Sequence, residues 1–211
     1  MVPNPTYIYH LTHIQNLRSI LVKKGLYAFS SLQNSVSSYT NIAYANVQDK
    51  RSQKAVPVEP GGVLHDYVPF YFAPRSPMLY TLHHGNVPGY SDGQEPLVYL
   101  VSSVQTVLDN EGRYAFTDGH GIIAYTKYFN DESNLDQIDW ALMKATFWKD
   151  TEQDLDRKRR RQAEFLVHTF FPWNWIIGIA TYNKSTRDTV TDILHSEEHQ
   201  PSVQCRNKWY F

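Results

Sequence analysis

The stretch Gln162-Ala163-Glu164-Phe165-Leu166-Val167, directly behind the basic run Arg157-Lys158-Arg159-Arg160-Arg161, decides how the rest of the chain is read. Phe165, Leu166 and Val167 read as a buried strand, and Glu164 stands at its mouth. Carboxylates are rarely buried without a partner or a task, so a lone glutamate there reads as a placed catalytic group. Beyond it, 164–170 and 175–182 read as strands, 185–195 as a helix and 203–205 as an extended tail.

Working back toward the start, Tyr7-Ile8-Tyr9-His10-Leu11 reads as a short strand and Thr12 as a helix N-cap. Ile14, Leu17, Ile20 and Leu21 follow at helical spacing, with Gly25 as the stop. Asn16 and Ser19 lie on the other side of that helix, facing away from the core or into a site. From 30 to about 60 the chain is polar and poor in aliphatics, the mark of a functional lid or a disordered loop, with a short helix over 41–51 that Arg51 closes. Strands are predicted over 67–72, 96–101 and 121–125, and a second polar segment over 126–162 carries Trp140, Phe147 and Trp148. The order predicts an α+β fold with mainly antiparallel strands.

At 211 residues and 42% hydrophobic content, 1–211 is expected to be one domain with a sizeable core. The apolar runs are too short to span a bilayer and the first residues lack a signal-peptide pattern, which points to no membrane and a reducing, cytoplasmic setting. Cys205 is the only cysteine, excluding an internal disulfide and a thiolate zinc cluster. The histidines are scattered and His83-His84 has no partner at ligand spacing, so no metal is expected. The net charge of −1 argues against a basic coat. The basic run shares its segment with Asp150, Glu152, Asp154 and Asp156, so a solvated mixed-charge face and a phosphate-binding run both stay open. Fifteen Tyr, ten Phe and five Trp exceed what such a core needs and suit stacking on planar ligands.

His10, Tyr71 and Glu164 together resemble the His-Tyr-Glu pattern of diphtheria-toxin-like ADP-ribosyltransferases, whose split sheet supplies an NAD site. Tyr9-His10-Leu11-Thr12-His13-Ile14, Tyr71-Phe72-Ala73-Pro74-Arg75-Ser76-Pro77-Met78 and Gln162-Ala163-Glu164-Phe165-Leu166-Val167 further resemble the DarT toxin family. The resemblance implies transfer of ADP-ribose from NAD to a base in single-stranded DNA, thymine first and guanine still open. It also implies a macrodomain antitoxin partner, DarG. It makes Glu164 and Arg51 catalytic, and makes His10, Leu11, Thr12, Asn16, Ser19, Tyr27, Arg51 and Tyr71 the NAD contacts. A lid at about 30–53 and an acceptor segment at about 118–163 follow, with DNA contacts at Arg75, Trp148, Lys149, Arg159 and Arg160 and with Trp140 as a stacking residue.

The chemistry agrees with these assignments. Breaking the nicotinamide–ribose bond builds oxocarbenium character, which a fixed carboxylate stabilises. No Gly-rich phosphate loop is present, so the diphosphate needs an arginine, and Arg51 has the fork for it. A thymine ring nitrogen must lose its proton to attack; Glu164 is the carboxylate available, whereas Arg51 stays protonated and suits an anionic base as stabiliser. An RNA 2′-phosphotransferase and a non-catalytic nucleic-acid-binding module are the competing readings.

Overall fold

A computed structural model describes residues 1–32 and 40–211. Its strands are β1 (Tyr7–His13), β2 (Gly25–Tyr27), β3 (Tyr67–Tyr71), β4 (Leu97–Ser103), β5 (Tyr114–Thr117), β6 (Tyr128–Phe129), β7 (Glu164–His168), β8 (Phe170–Pro172), β9 (Gly178–Thr181) and β10 (Ser202–Cys205). The helices are α1 (Leu17–Val22), α2 (Phe29–Leu32), α3 (Ala45–Gln53), α4 (Pro77–His83), α5 (Val104–Asp109), α6 (Trp140–Lys144), α7 (Arg157–Arg160) and α8 (Lys184–Leu194). Eight strands form one sheet in the order β10-β9-β4-β1-β3-β7-β5-β6, and β2 pairs with β8 beside it. The pairs are antiparallel except β10 with β9, so the expected mixed, mainly antiparallel architecture is present.

The sheet is built as two tightly paired halves. β1 registers with β4 along its whole length, from Tyr7↔Ser103 to His13↔Leu97, and β3 registers with β7 from Tyr67↔His168 to Tyr71↔Glu164. Between β1 and β3 a single register pair, Tyr9↔Tyr71, joins the halves. Pro69 contributes to this opening, because it has no N–H to give a ladder; its carbonyl instead accepts from His10 Nδ1 at 2.8 Å. A cleft therefore opens where β1 and β3 diverge.

The core explains why β4 is buried at all seven positions. Val98 and Leu100 pack with Val104 and Val107 of α5 and Val190 and Leu194 of α8. Leu97, Tyr99 and Val101 point the opposite way, against Leu79 and Leu82 of α4 and Tyr210. A strand covered on both faces reads as the continuous apolar run seen here. β7 follows the same alternation: Phe165 and Val167 face the larger cluster, and Leu166 joins Leu64 and Tyr67. Glu164, two residues before Leu166, shares its face.

Four local expectations are corrected. Thr12 stays in β1, opposite Val98, and His13 caps a 3₁₀ turn over Ile14–Asn16 before the short α1. Residues 121–125 make turns closed by Ile123 N–H to His120 O and Thr126 N–H to Ile123 O, and the strand of this region is β5, where Tyr114 and Phe116 alternate with Ala115. The strand expected over 164–170 breaks at Thr169, whose φ is 62°, and its second part becomes β8. The strand expected over 175–182 shortens to β9 behind a 3₁₀ turn at Trp173–Trp175. The helix expected to end near Arg51 is α3; part of the lid, 33–39, lies outside the described residues.

Candidate active site

Tyr71 closes β3 and Glu164 opens β7 directly opposite it, so both side chains leave the same face of the sheet beside the cleft. Glu164 is 2% exposed, and each of its oxygens has one donor. Oε2 takes Arg51 Nη1 at 2.7 Å, and Oε1 takes the Gly121 backbone N–H at 2.9 Å. Its own backbone N–H donates to Thr117 Oγ1 at 3.0 Å, fixing the strand end against β5. Burial alone would raise this carboxyl's pKa; the Arg51 charge, His120 and the Gly121 N–H outweigh it and hold the group below the ordinary carboxylate value.

Arg51 arrives from α3, a helix whose other residues are largely polar and whose buried residue is Arg51 itself. Burial pulls its pKa down, but the adjacent Glu164 carboxylate more than offsets this and keeps the guanidinium charged. One guanidinium nitrogen, Nη2, is buried with no hydrogen-bond partner. A buried unsatisfied donor of this kind is costly unless a ligand takes it.

These groups line a cavity of about 440 Å³, within the usual range for a small-molecule site. His10, Leu11, Thr12, Asn16, Ser19 and Tyr27 stand on its wall, as do Tyr71, Arg51 and Glu164, so the cavity gathers every residue named from sequence for the cofactor. Because a carbonyl can only accept, His10 Nδ1 carries the proton and Nε2 is left as an acceptor; burial lowers the pKa of this ring and keeps it neutral. Asn16 is fully engaged: its amide N–H groups reach Thr12 Oγ1 at 3.1 Å and Thr40 O at 3.0 Å, and its Oδ1 accepts from Thr40 N–H at 2.8 Å. It ties the chain at Thr40 to β1. Tyr71 donates to Met78 Sδ at 3.7 Å, and burial raises its hydroxyl pKa well above the ordinary value.

His120 and His65, which sequence reading missed, also line the cavity, as does Lys158, named from sequence only within the basic run. The signal for His120 was the triplet Gly119-His120-Gly121, two glycines where backbone must approach closely. An added Cβ at Gly121 would sit 3.1 Å from Leu64 and 3.2 Å from Glu164 Oε1. Burial lowers the His120 pKa, with Arg51 and Lys50 acting the same way against Glu164, so the ring is neutral near pH 7.

The acceptor side needs correction. Trp140 is buried against Phe72 and donates Nε1–H to Leu135 O, so it is a core residue. Trp148 is 6% exposed, edge-on to Tyr80 and Phe211, and offers no free face. Arg159 is held by Asp118 at 2.9 Å and Asp156 at 2.7 Å, and Arg160 by Asp139 at 2.9 Å and by Asp154. Arg157 donates to Phe147 O and Lys149 O. These guanidinium groups are already satisfied, so the run is chiefly a scaffold. Arg75 stacks over the Phe211 ring at 4.5 Å, and Lys149 is exposed. The large rings that do face solvent in this segment are Tyr125, 68% exposed, and Phe147, 82% exposed.

Among the described residues no His, Cys, Asp and Glu cluster is placed to hold a metal, and no helix is long and apolar enough to cross a membrane. Residues 9–211 match the family described as "ssDNA thymidine ADP-ribosyltransferase, DarT". A DNA ADP-ribosyl transferase of Thermus sp. (strain 2.9) is 43% identical over 211 residues, covering 99% of this chain and 98% of that protein. One from Escherichia coli O127:H6 (strain E2348/69 / EPEC) is 34% identical over 209 residues, covering 99% and 95%. The solved structure of Thermus sp. 2.9 DarT in complex with ADP-ribosylated ssDNA matches with a TM-score of 0.94 and 42% identity, covering 100% of this chain and 99% of that one. The NAD+ complex of the same protein matches with a TM-score of 0.88 and 40% identity over 100% of both chains. With its split sheet, its buried arginine–glutamate pair and this likeness across its length, the chain belongs to the DarT family of ADP-ribosyltransferases.

Proposed function

We propose that this protein transfers ADP-ribose from NAD to a base of single-stranded DNA, thymine first, with Glu164 and Arg51 as the catalytic pair. The observation that carries the reading is the buried 2.7 Å contact between Arg51 and Glu164 on the wall of a cavity of suitable size. NAD, as co-substrate, supplies the glycosidic bond whose cleavage releases ADP-ribose for transfer. Every other part is the protein's own. Glu164 holds an ionised carboxylate in a water-poor wall, where a fixed charge opposes developing positive charge most effectively. Arg51 steadies that carboxylate with one nitrogen and keeps a second donor for an anionic oxygen, of the diphosphate or of the deprotonated base.

Attack by a thymine ring nitrogen requires loss of its proton. Glu164 has a depressed pKa and Arg51 stays charged, so the neutral His120 on the same cavity wall is the better-matched acceptor. Lys158 at the cavity and the exposed Tyr125 and Phe147 suit a strand whose bases stack outside a single captured base. In the cell the protein acts in the cytoplasm as the toxin of a pair whose macrodomain partner removes the mark. The test is incubation of the protein with labelled NAD and single-stranded or duplex oligonucleotides of each base: label should enter thymine-containing single strands. Label transfer only to protein, or none with NAD consumed, would refute the reading.

A further inference from the structure

Arg161 is the buried member of the basic run, and among the described residues its guanidinium meets carbonyls and no carboxylate. It is 3% exposed, three residues before Glu164. Its Nη1 donates to Leu142 O at 2.6 Å, Met143 O at 2.7 Å and Ala145 O at 3.3 Å, and its Nη2 donates to Pro74 O at 2.7 Å. The first three are carbonyls at the C-terminal end of α6, its negative pole, where Leu142 O also takes the capping Ala145 N–H. The fourth belongs to the turn before α4, whose Pro77, Met78 and Thr81 line the cavity.

We propose that Arg161 is a positioning residue for the acceptor strand: its planar fork fixes the end of α6 and the Pro74 turn against the start of β7, and so sets the acceptor rim relative to Glu164. The inference rests on the DNA-transfer reading above. A buried cation held only by carbonyls is an expensive way to fill space, since apolar packing would serve as well. Burial pushes this guanidinium down to about 10, still charged at neutral pH. What the charge and the fork achieve together is geometry. Residues 146–149 follow α6 directly, and Arg157 holds Phe147 O and Lys149 O, so a shift of α6 carries the whole rim with it. Arg161 makes no hydrogen bond to β1, α1 or α3, which carry most of the cofactor wall.

The role predicts a split between the two substrates. Arg161→Lys keeps the charge, but a point ammonium cannot span Pro74 and α6 at once. Arg161→Met removes the donors. For each variant, NAD affinity, the KM for a thymine-containing single strand and the ratio of DNA transfer to NAD hydrolysis are measured on the folded fraction, beside the wild type. Both variants should bind NAD within about twofold of wild type while the DNA KM rises about tenfold or more and hydrolysis gains on transfer, with the lysine variant the milder. Unchanged DNA KM and ratio, with only a lower melting temperature, would make Arg161 a stabilising residue and overturn the proposal. Failure of both variants to fold would overturn it equally. If the wild type does not modify DNA at all, it is the DNA-transfer reading that falls.

Discussion

Arg51 Nη1 lies 2.7 Å from Glu164 Oε2, and the two side chains are only 9% and 3% exposed although 113 residues separate them in the chain. The pair joins α3 to the first residue of β7. A buried pair adds little net stability over apolar packing, yet breaking one leaves a stranded charge, so its presence in a cavity wall points to chemistry. The same contact prepares the carboxylate's charge and orientation before substrate arrives.

Replacing Arg51 by lysine should reduce transfer nearly as far as replacing it by alanine. A lysine ammonium can meet Glu164, but it does not reproduce a fork that holds one group and offers a second nitrogen elsewhere. Transfer rates with single-stranded DNA check this; full activity of Arg51→Lys would reduce the arginine's role to charge.

Gly121 leaves almost no room beside the carboxylate, so Gly121→Ala must displace either Leu64 or Glu164 Oε1. Leu64 and Glu164 are both buried, so the few tenths of an ångström the methyl needs are shared by the carboxylate. A fall in kcat of about tenfold is expected, since small misplacements near reacting atoms are costly. An unchanged kcat would show that Oε1 is not held by the Gly121 N–H in the working enzyme.

Much of this was legible in the sequence, and the boundary has physical causes. Glu164 stood out because it opens an apolar run, and His10, Arg51 and Tyr71 were placed by strand and helix patterns that depend on neighbouring residues. The strand at β5 was missed because Gly121-Ile122-Ile123-Ala124-Tyr125 is the more apolar run, whereas the backbone there turns to give its first N–H to Glu164. The surroundings of Trp148, Arg159 and Arg160 were legible only in part. Asp154 and Asp156, visible in sequence as the acidic half of a mixed-charge segment, hold Arg159 and Arg160, whereas Asp118, 41 residues before Arg159, and Tyr80, far up the chain from Trp148, show in no local pattern.

Phe147→Ala should leave the melting temperature almost unchanged and raise the KM for single-stranded DNA about tenfold, because an exposed ring can only matter by stacking. Trp148→Ala should do the reverse in character, destabilising the fold by about 3–5 kcal/mol through an emptied core site. Thermal melts and DNA titrations of the two variants check the contrast; a Phe147→Ala enzyme with normal DNA KM would move base stacking to Tyr125 or elsewhere.

Acid should weaken the fold in two stages. Burial lowers the pKa values of His10, His13, His65, His120 and His168 below the ordinary 6.5, so the native state prefers them neutral. Groups depressed in the fold contribute stability that is complete above the unfolded value and is lost as pH falls through the folded ones. Denaturant melts should therefore show stability declining as pH drops below about 6.5. A second loss should follow below the ordinary carboxylate range, as Glu164 is protonated. Transfer should decline over the first window if neutral His120 accepts the proton; stability that rises on acidification to pH 5 would contradict the assignment.

The most direct test of the account is single-turnover transfer by Glu164→Gln, with NAD binding measured on the same preparation. Glutamine preserves the shape and most of the hydrogen bonding of the site while removing the charge that opposes the developing cation. NAD affinity should stay within a few fold of wild type and the transfer rate to single-stranded DNA should fall about a thousandfold or more, the signature of a group acting in the transition state. A rate within tenfold of wild type, with NAD bound normally, would contradict the assignment of the chemical step to Glu164.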